Sequence, residues 1–97
     1  MAFVRLAFFP EGRQAHYDAL AQALAQAPVP QGRLVFAAGP ADGGWQVVQV
    51  WSSRQELDAF NAAHLVPALR AVGAAGFPRP PRVTDFETAE LSLPGHD

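Results

Sequence analysis

The chain has 97 residues, of which 49% are hydrophobic and 16% charged, and its formal net charge at pH 7 is -2. A chain of this length is expected to form one domain, spanning residues 1–97, with much apolar surface to bury and few charges to cover its exterior. With only 7 Lys and Arg residues it lacks the positive charge that nucleic acid binding needs, and without cysteine it has neither disulfides nor thiolate chemistry.

The first predicted element is an apolar strand from Phe3 to Phe9, which closes at the turn sequence Pro10-Glu11-Gly12. Arg5 interrupts this run, and no basic start or small-residue cleavage site marks it as a secretory signal. No stretch of the chain has the length of a transmembrane helix. We therefore expect a cytoplasmic protein that does not bind membranes.

An amphipathic helix is predicted from Gln14 to Ala27, where apolar residues recur every three or four positions until Pro28 ends the pattern. A short apolar strand, Leu34 to Ala38, follows. The sequence Asp42-Gly43-Gly44 is typical of a hairpin turn, and it leads into a β-rich run from Trp45 to Trp51. The second and third strands should therefore pair antiparallel.

A second helix begins at Ser53, which forms a capping box with Glu56. Pro67 removes a backbone donor inside the helical pattern, so we expect a kink or break there and a second short helix from Pro67 to Val72. Residues within Val83 to Leu93 are rich enough in β-formers for a fourth strand.

This order of strands and helices predicts an α+β fold of the ferredoxin-like βαββαβ type, with a four-stranded antiparallel sheet and both helices on one face. The first strand carries apolar residues on both sides, Val4, Leu6 and Phe8 on one and Phe3, Ala7 and Phe9 on the other. A sheet that is apolar on both faces needs a second cover, and we expect a homodimer through the face without helices.

One stretch resembles a known family. The run Gly44-Trp45-Gln-Val-Val-Gln-Val-Trp51-Ser-Ser-Arg-Gln-Glu-Leu57-Asp-Ala-Phe60, with His64-Leu-Val-Pro67-Ala-Leu69 after it, resembles the antibiotic-biosynthesis-monooxygenase-like (ABM-like) family. The resemblance implies a dimeric α+β barrel with a pocket for a small hydrophobic or aromatic molecule between sheet and helices. It also implies cofactor-independent monooxygenase activity on quinol-like aromatics, in a superfamily that includes haem-degrading enzymes, isomerases and proteins without known activity.

The chain departs from the haem-degrading relatives at the residues those enzymes use. Phe60 stands where their helical Trp would fall, Arg70 where their His would fall, and the first strand has no Asn. We therefore expect no cofactor. We also expect no metal site, because His16 and His64 lie on different helices, His96 is in the tail, and no compact ligand spacing occurs.

His64 is the candidate catalytic residue, since it follows Phe60 by one helical turn and a neutral imidazole can accept a proton from a phenol. The competing interpretation is a hydrogen-bonded histidine of the core or an interface. The alternative function is a non-catalytic dimer that binds a small hydrophobic metabolite or acts as a structural partner.

The candidate substrate-binding residues combine aromatic rings with a few polar groups: Arg5, Tyr17, Trp45, Trp51, Phe60 and Asn61. Each aromatic residue could instead fill the core, and Asn61 or Gln49 could serve packing or face solvent. Arg5 either pairs with a carboxylate such as Asp85 or Glu87, or holds an anionic group of a ligand.

Overall fold

In the computed structural model, which describes residues 1–93, the chain has the predicted α+β order of elements. The strands are β1 (Phe3–Pro10), β2 (Arg33–Ala41), β3 (Gly44–Trp51) and β4 (Arg82–Glu87). The helices are α1 (Gln14–Ala23), α2 (Arg54–Phe60) and α3 (Val66–Val72), with a π-helical turn (Asn61–Leu65) between α2 and α3 and a 3-10 turn (Gly73–Ala75) after α3.

The four strands form one antiparallel sheet in the order β2-β3-β1-β4. This order, with both crossovers made by helices, is the ferredoxin-like arrangement that the sequence predicts. The β2–β3 hairpin turns at Gly43, whose φ of +79° favours glycine. Gly44 is needed for a different reason, because a Cβ there would collide with the backbone oxygen of Phe9 on the neighbouring strand.

The helices cover one face of the sheet. On that face Trp51 and Leu57 are the most deeply buried large side chains, at 1% and 0% exposure, and they pack against Phe3. The opposite side, here called the open face, carries Val4, Leu6 and Phe8 of β1 and the residues paired with them. Among residues 1–93, the buried cluster on this face includes Val4 and contains no helix residue. The core of the protomer therefore lies between the sheet and its helices.

A β-bulge interrupts the pairing of β2 with β3 between Arg33 and Val35. Arg33 lies opposite Trp51, and Phe36 lies opposite Gln49, so both side chains belong to the helix-covered face. In a regular strand, residues three apart point to opposite faces. The bulge is thus what brings Arg33 and Phe36 to the same side.

The helix α1 ends at Ala23, four residues earlier than the apolar pattern predicts. Leu24 has already left helical geometry, with φ of -94° and ψ of 1°, and the remaining residues before Pro28 form turns. Proline disfavours the helical conformation of the residue before it, which accounts for the non-helical conformation of Ala27.

The predicted disruption near Pro67 takes the form of a π-helical turn rather than a break. Ser53 caps α2 by accepting a hydrogen bond from the backbone N–H of Glu56 at 3.2 Å. The backbone stays helical from α2 into α3, and the N–H of Val66 donates to the backbone oxygen of Asn61, five residues back. Pro67 occupies the first turn of α3, directly after the π-helical turn, and supplies no backbone donor there.

Candidate ligand-binding site

A cavity of about 450 Å³ lies between the helix-covered face of the sheet and the helices. Side chains of β1 and β3 form its floor, while β2, α1, the segment of residues 24–30 and the π-helical turn form its walls. Its lining is mainly apolar and aromatic. The few polar residues that line it include Arg5, Arg33, Gln49 and Asn61. This composition is typical of sites for small organic molecules.

Arg5 lies on the floor of the cavity and is paired across the sheet with Asp85 of β4. The guanidinium donates two parallel hydrogen bonds to the carboxylate, Nε to Oδ1 at 2.8 Å and Nη2 to Oδ2 at 2.9 Å. The two side chains are only 19% and 25% exposed. The hydrogen bond from Arg5 lowers the pKa of Asp85 below its ordinary 3.8, and the same bond raises the pKa of Arg5. Of the two roles considered for Arg5, pairing with Asp85 is therefore the one observed, and it occurs at the cavity surface.

Because of this ion pair, the free energy of unfolding depends on pH in the acidic range. Because the folded pKa of Asp85 is lowered, its contribution is fully present above the unfolded value of 3.8 and is lost as pH falls through the folded value. We expect Asp85→Asn to lower the free energy of unfolding by about 1–3 kcal/mol at neutral pH. The gap between wild type and variant should close below about pH 4. Urea denaturation over a pH series measures this difference in stability. A difference that stays constant with pH would contradict the attribution to the Arg5–Asp85 ion pair.

Gln49 lies beside Arg5 on the cavity floor and is oriented by Trp51. The indole N–H of Trp51 donates to Oε1 of Gln49 at 2.9 Å. The two N–H donors on Nε2 of Gln49 can therefore hydrogen-bond a ligand in the cavity. Trp51 itself is 1% exposed and does not line the cavity. The structure therefore places Trp51 beneath the site, as core and as the support of a lining residue.

Tyr17 lines the cavity from α1, whereas Trp45 lies behind it. The two rings stack with centroids 5.1 Å apart and planes 26° apart. Trp45 is 3% exposed, and its indole N–H has no hydrogen-bond partner in residues 1–93. Tyr17 is thus held by a rigid aromatic backing and can contact a bound molecule, while Trp45 contacts Tyr17.

The π-helical turn decides which residues after Phe60 reach the cavity. Phe60, Asn61 and Leu65 line it, and His64 does not. A π-helical turn is wider than an α-turn, so the fifth residue, Leu65, follows Phe60 on the same side instead of the fourth. His64 packs against the Phe60 ring, with centroids 5.1 Å apart.

Among the lining residues that were not sequence candidates are an arginine and a phenylalanine of β2. Arg33 and Phe36 of β2 meet at the cavity wall, where the Arg33 guanidinium carbon lies 4.5 Å from the centroid of the Phe36 ring and 6.0 Å from that of Phe60. Regular strand alternation assigns Arg33 and Phe36 to opposite faces, and no sequence signal marks the bulge that unites them.

Other predicted features concern His16, metals and membranes. His16 lies at the start of α1, where its Nδ1 accepts a hydrogen bond from the backbone N–H of Arg13 at 3.0 Å, and it lines a more open depression outside the cavity. Within residues 1–93 no group of three or more His, Cys, Asp or Glu side chains is placed to hold a metal ion. His96 lies outside the described residues. Over the same part of the chain, no helix has the length and hydrophobicity needed to cross a bilayer.

The fold is shared with solved structures of monooxygenase-like proteins. A Caulobacter crescentus structure assigned as an antibiotic biosynthesis monooxygenase has a TM-score of 0.68 at 16% identity, over 92% of this chain and 91% of its own. A monooxygenase from ActVA-Orf6 of Streptomyces coelicolor, in complex with nanaomycin D, has a TM-score of 0.57 at 22% identity, over 97% and 93%. A mutant of MhuD with two manganese protoporphyrin IX molecules per active site has a TM-score of 0.61 at 20% identity, over 98% and 100%.

These likenesses confirm the ABM-like fold that the sequence resemblance predicts. They extend over nearly the whole of each chain, so the match concerns the complete domain and not one motif. No protein-family model matches the sequence, and no curated protein matches it either. At these identities the similarity establishes the fold, while the chemistry has to be argued from the cavity.

Proposed function

We propose that this protein is a homodimer that binds a small aromatic molecule between sheet and helices and oxygenates quinol-like substrates without a cofactor. The observation that carries the proposal is the cavity of about 450 Å³, whose apolar and aromatic lining surrounds a few polar groups. Such a site can bury a planar ring system and still fix its orientation. The nanaomycin D complex of the structurally similar monooxygenase supports the choice of an aromatic ligand class.

The open face of the sheet supports the dimer. Leu6 lies on it between Val48 and Thr84, and Phe86 of the edge strand is 50% exposed. Apolar side chains from adjacent strands thus form a continuous surface without a helix over it. The second copy is the natural occupant, because the same face on both subunits makes a self-complementary interface.

The proposed reaction balances with the substrate and O₂ alone. A ring CH₂, in the keto tautomer of a phenol, is oxidised to C=O by O₂, whose second oxygen atom leaves as water. The substrate supplies all four electrons, so the reaction consumes no external reductant. The protein has to remove a proton from carbon and protect the resulting carbanion from water, which an apolar cavity favours.

The lining residues support defined roles in this reaction. The Gln49 and Asn61 amides can hydrogen-bond the substrate oxygens. The Arg5 guanidinium is held in place by Asp85, and its N–H groups that Asp85 does not use can hydrogen-bond the developing enolate oxygen. His64 remains the proposed proton acceptor. Since it packs behind Phe60, proton transfer requires a movement of that ring or a bridging water.

A porphyrin is a poorer match to this cavity. Among the described lining residues there is no histidine, cysteine or methionine, three of the usual axial ligands of haem iron, and His64 lies behind Phe60. The Tyr17 ring, another candidate ligand type, is stacked on Trp45. We therefore propose no haem chemistry for this chain.

The proposed activity is tested with a panel of anthrones and naphthohydroquinones under ¹⁸O₂. We expect protein-dependent formation of a quinone that carries one ¹⁸O atom, without accumulation of hydrogen peroxide. His64→Ala should lower kcat about a hundredfold, whereas the matched control His16→Gln, outside the cavity, should leave kcat unchanged.

The outcomes separate the roles. Unchanged turnover in His64→Ala would remove His64 from the mechanism. Binding of the panel without ¹⁸O incorporation would favour the alternative, a non-catalytic metabolite-binding dimer. That alternative has one specific observation in its favour, namely that no described histidine lines the cavity.

A further inference from the structure

We propose that Arg33 is the anion-binding residue of the cavity and that the ligand is a planar aromatic compound carrying one carboxylate, held by the Arg33 guanidinium. This inference deepens the proposed function and rests on it, since it takes the same cavity as the binding site. It assigns the ligand a second functional group besides the aromatic ring system. It also gives that group a fixed position at the β2 wall.

The first observation is that only one of the two cavity arginines is paired with a carboxylate of residues 1–93. Arg5 is matched by Asp85 through two hydrogen bonds. Arg33 forms no salt bridge with any carboxylate in residues 1–93. No Asp or Glu is among the described lining residues, so Arg33 leaves one uncompensated positive charge at the cavity wall.

The second observation is the environment of that charge. Arg33 is half-buried, and burial lowers the pKa of its guanidinium, although an arginine stays protonated at any physiological pH. A charge that has lost part of its hydration without gaining a counter-ion is costly to the folded protein. A ligand anion at this place would recover that loss, and this favours binding of an acid over its neutral analogue.

The third observation concerns geometry. The guanidinium lies 4.5 Å from the centroid of the Phe36 ring, with the Phe60 ring 6.0 Å away. Contact with ring faces leaves the N–H edge of a guanidinium open, and that edge matches the two oxygens of a carboxylate. A single unpaired cation suits a single negative charge, so a monocarboxylate fits better than a doubly charged phosphate. The rings beside it suit an aromatic body attached to that carboxylate.

The test uses two probes of nearly equal shape, 2-naphthoate and 2-naphthamide, titrated calorimetrically into the full-length protein. We expect the wild type to bind the acid about tenfold tighter than the amide, or more. Arg33→Met should abolish this preference while leaving the affinity for the amide unchanged. Arg33→Lys, which keeps the charge but not the fork of donors, should reduce the preference. Arg70→Met removes one exposed charge from α3, outside the cavity, and should behave as the wild type.

Each result decides the question. Equal affinity of the wild type for both probes overturns the inference while the aromatic site stands, and so does a preference that survives in Arg33→Met. Failure of the wild type to bind either probe overturns the proposed aromatic site and this inference together. Circular dichroism checks that each variant is folded. If Arg33→Met does not fold, an undiminished preference in Arg33→Lys overturns the role of the guanidinium fork.

Discussion

Replacing Trp51 with alanine is expected to lower the free energy of unfolding by about 3–5 kcal/mol. Trp51 is 1% exposed and packs against Phe3 and Leu57, so its removal leaves a cavity at the centre of the core. It also takes away the donor that orients Gln49. Domains of this size are stable by only about 5–15 kcal/mol, so the variant should approach the threshold of unfolding at room temperature. Urea denaturation followed by far-ultraviolet circular dichroism is the suitable measurement, because the substitution removes a fluorophore.

Two controls separate packing from the hydrogen bond. Trp51→Phe retains most of the buried ring but loses the N–H, and we expect a smaller loss of stability together with weaker binding through Gln49. Val29→Ala alters a side chain that is 83% exposed and should change stability by less than about 0.5 kcal/mol. A loss below about 1 kcal/mol in Trp51→Ala would contradict the placement of this residue in the core.

Changing Leu6 to aspartate is expected to raise the dissociation constant of the proposed dimer at least about a hundredfold. Leu6 is on the open face, flanked by Val48 and Thr84 on the neighbouring strands. A carboxylate there would lose its hydration in the interface without a partner, whereas in the monomer it stays in water. Light scattering at micromolar concentration should give the dimer mass for the wild type and the monomer mass for the variant.

The matched control is Leu69→Asp. Leu69 is 42% exposed on α3 and lies away from the open face, so the same chemical change should leave the dimer mass unaltered. A monomeric wild type would contradict the dimer itself. An unchanged dimer in Leu6→Asp would mean that the subunits associate through another surface.

The fold could be predicted because the signals for it are local. The Gly43 turn, the Ser53 cap and the proline after α1 mark ends of elements, and the apolar periods between them distinguish strands from helices. The order of elements then leaves few topologies open, and the ferredoxin-like one is observed. The ends of elements were less accessible, as the early end of α1 illustrates.

The site was only partly predictable because two irregularities reassign its residues. Arg5, Tyr17 and Phe60 line the cavity as regular elements would place them, and Asn61 joins them as the first residue of the π-helical turn. The π-helical turn brings Leu65 to the cavity and leaves His64 behind Phe60, a shift that a period of 3.6 residues cannot anticipate. The β-bulge likewise brings Arg33 to the same face as Phe36, which regular strand alternation cannot anticipate.

The bulge at the start of β2 also bears on how such a protein could evolve. Deleting Leu34 would restore regular alternation and leave Arg33 two residues before Phe36, on the same face of the sheet, so the positive charge would stay at the cavity. Losing the bulge without a change in length would instead shift the pairing of Arg33 by one residue and turn it to the opposite face. A descendant could therefore lose one residue here and keep the charge at its cavity, or keep the length and lose the charge through a shift in strand register. Homologous positions in relatives should accordingly be matched by strand register, because an alignment of residue identities alone would equate an arginine that lines the cavity with one that faces away.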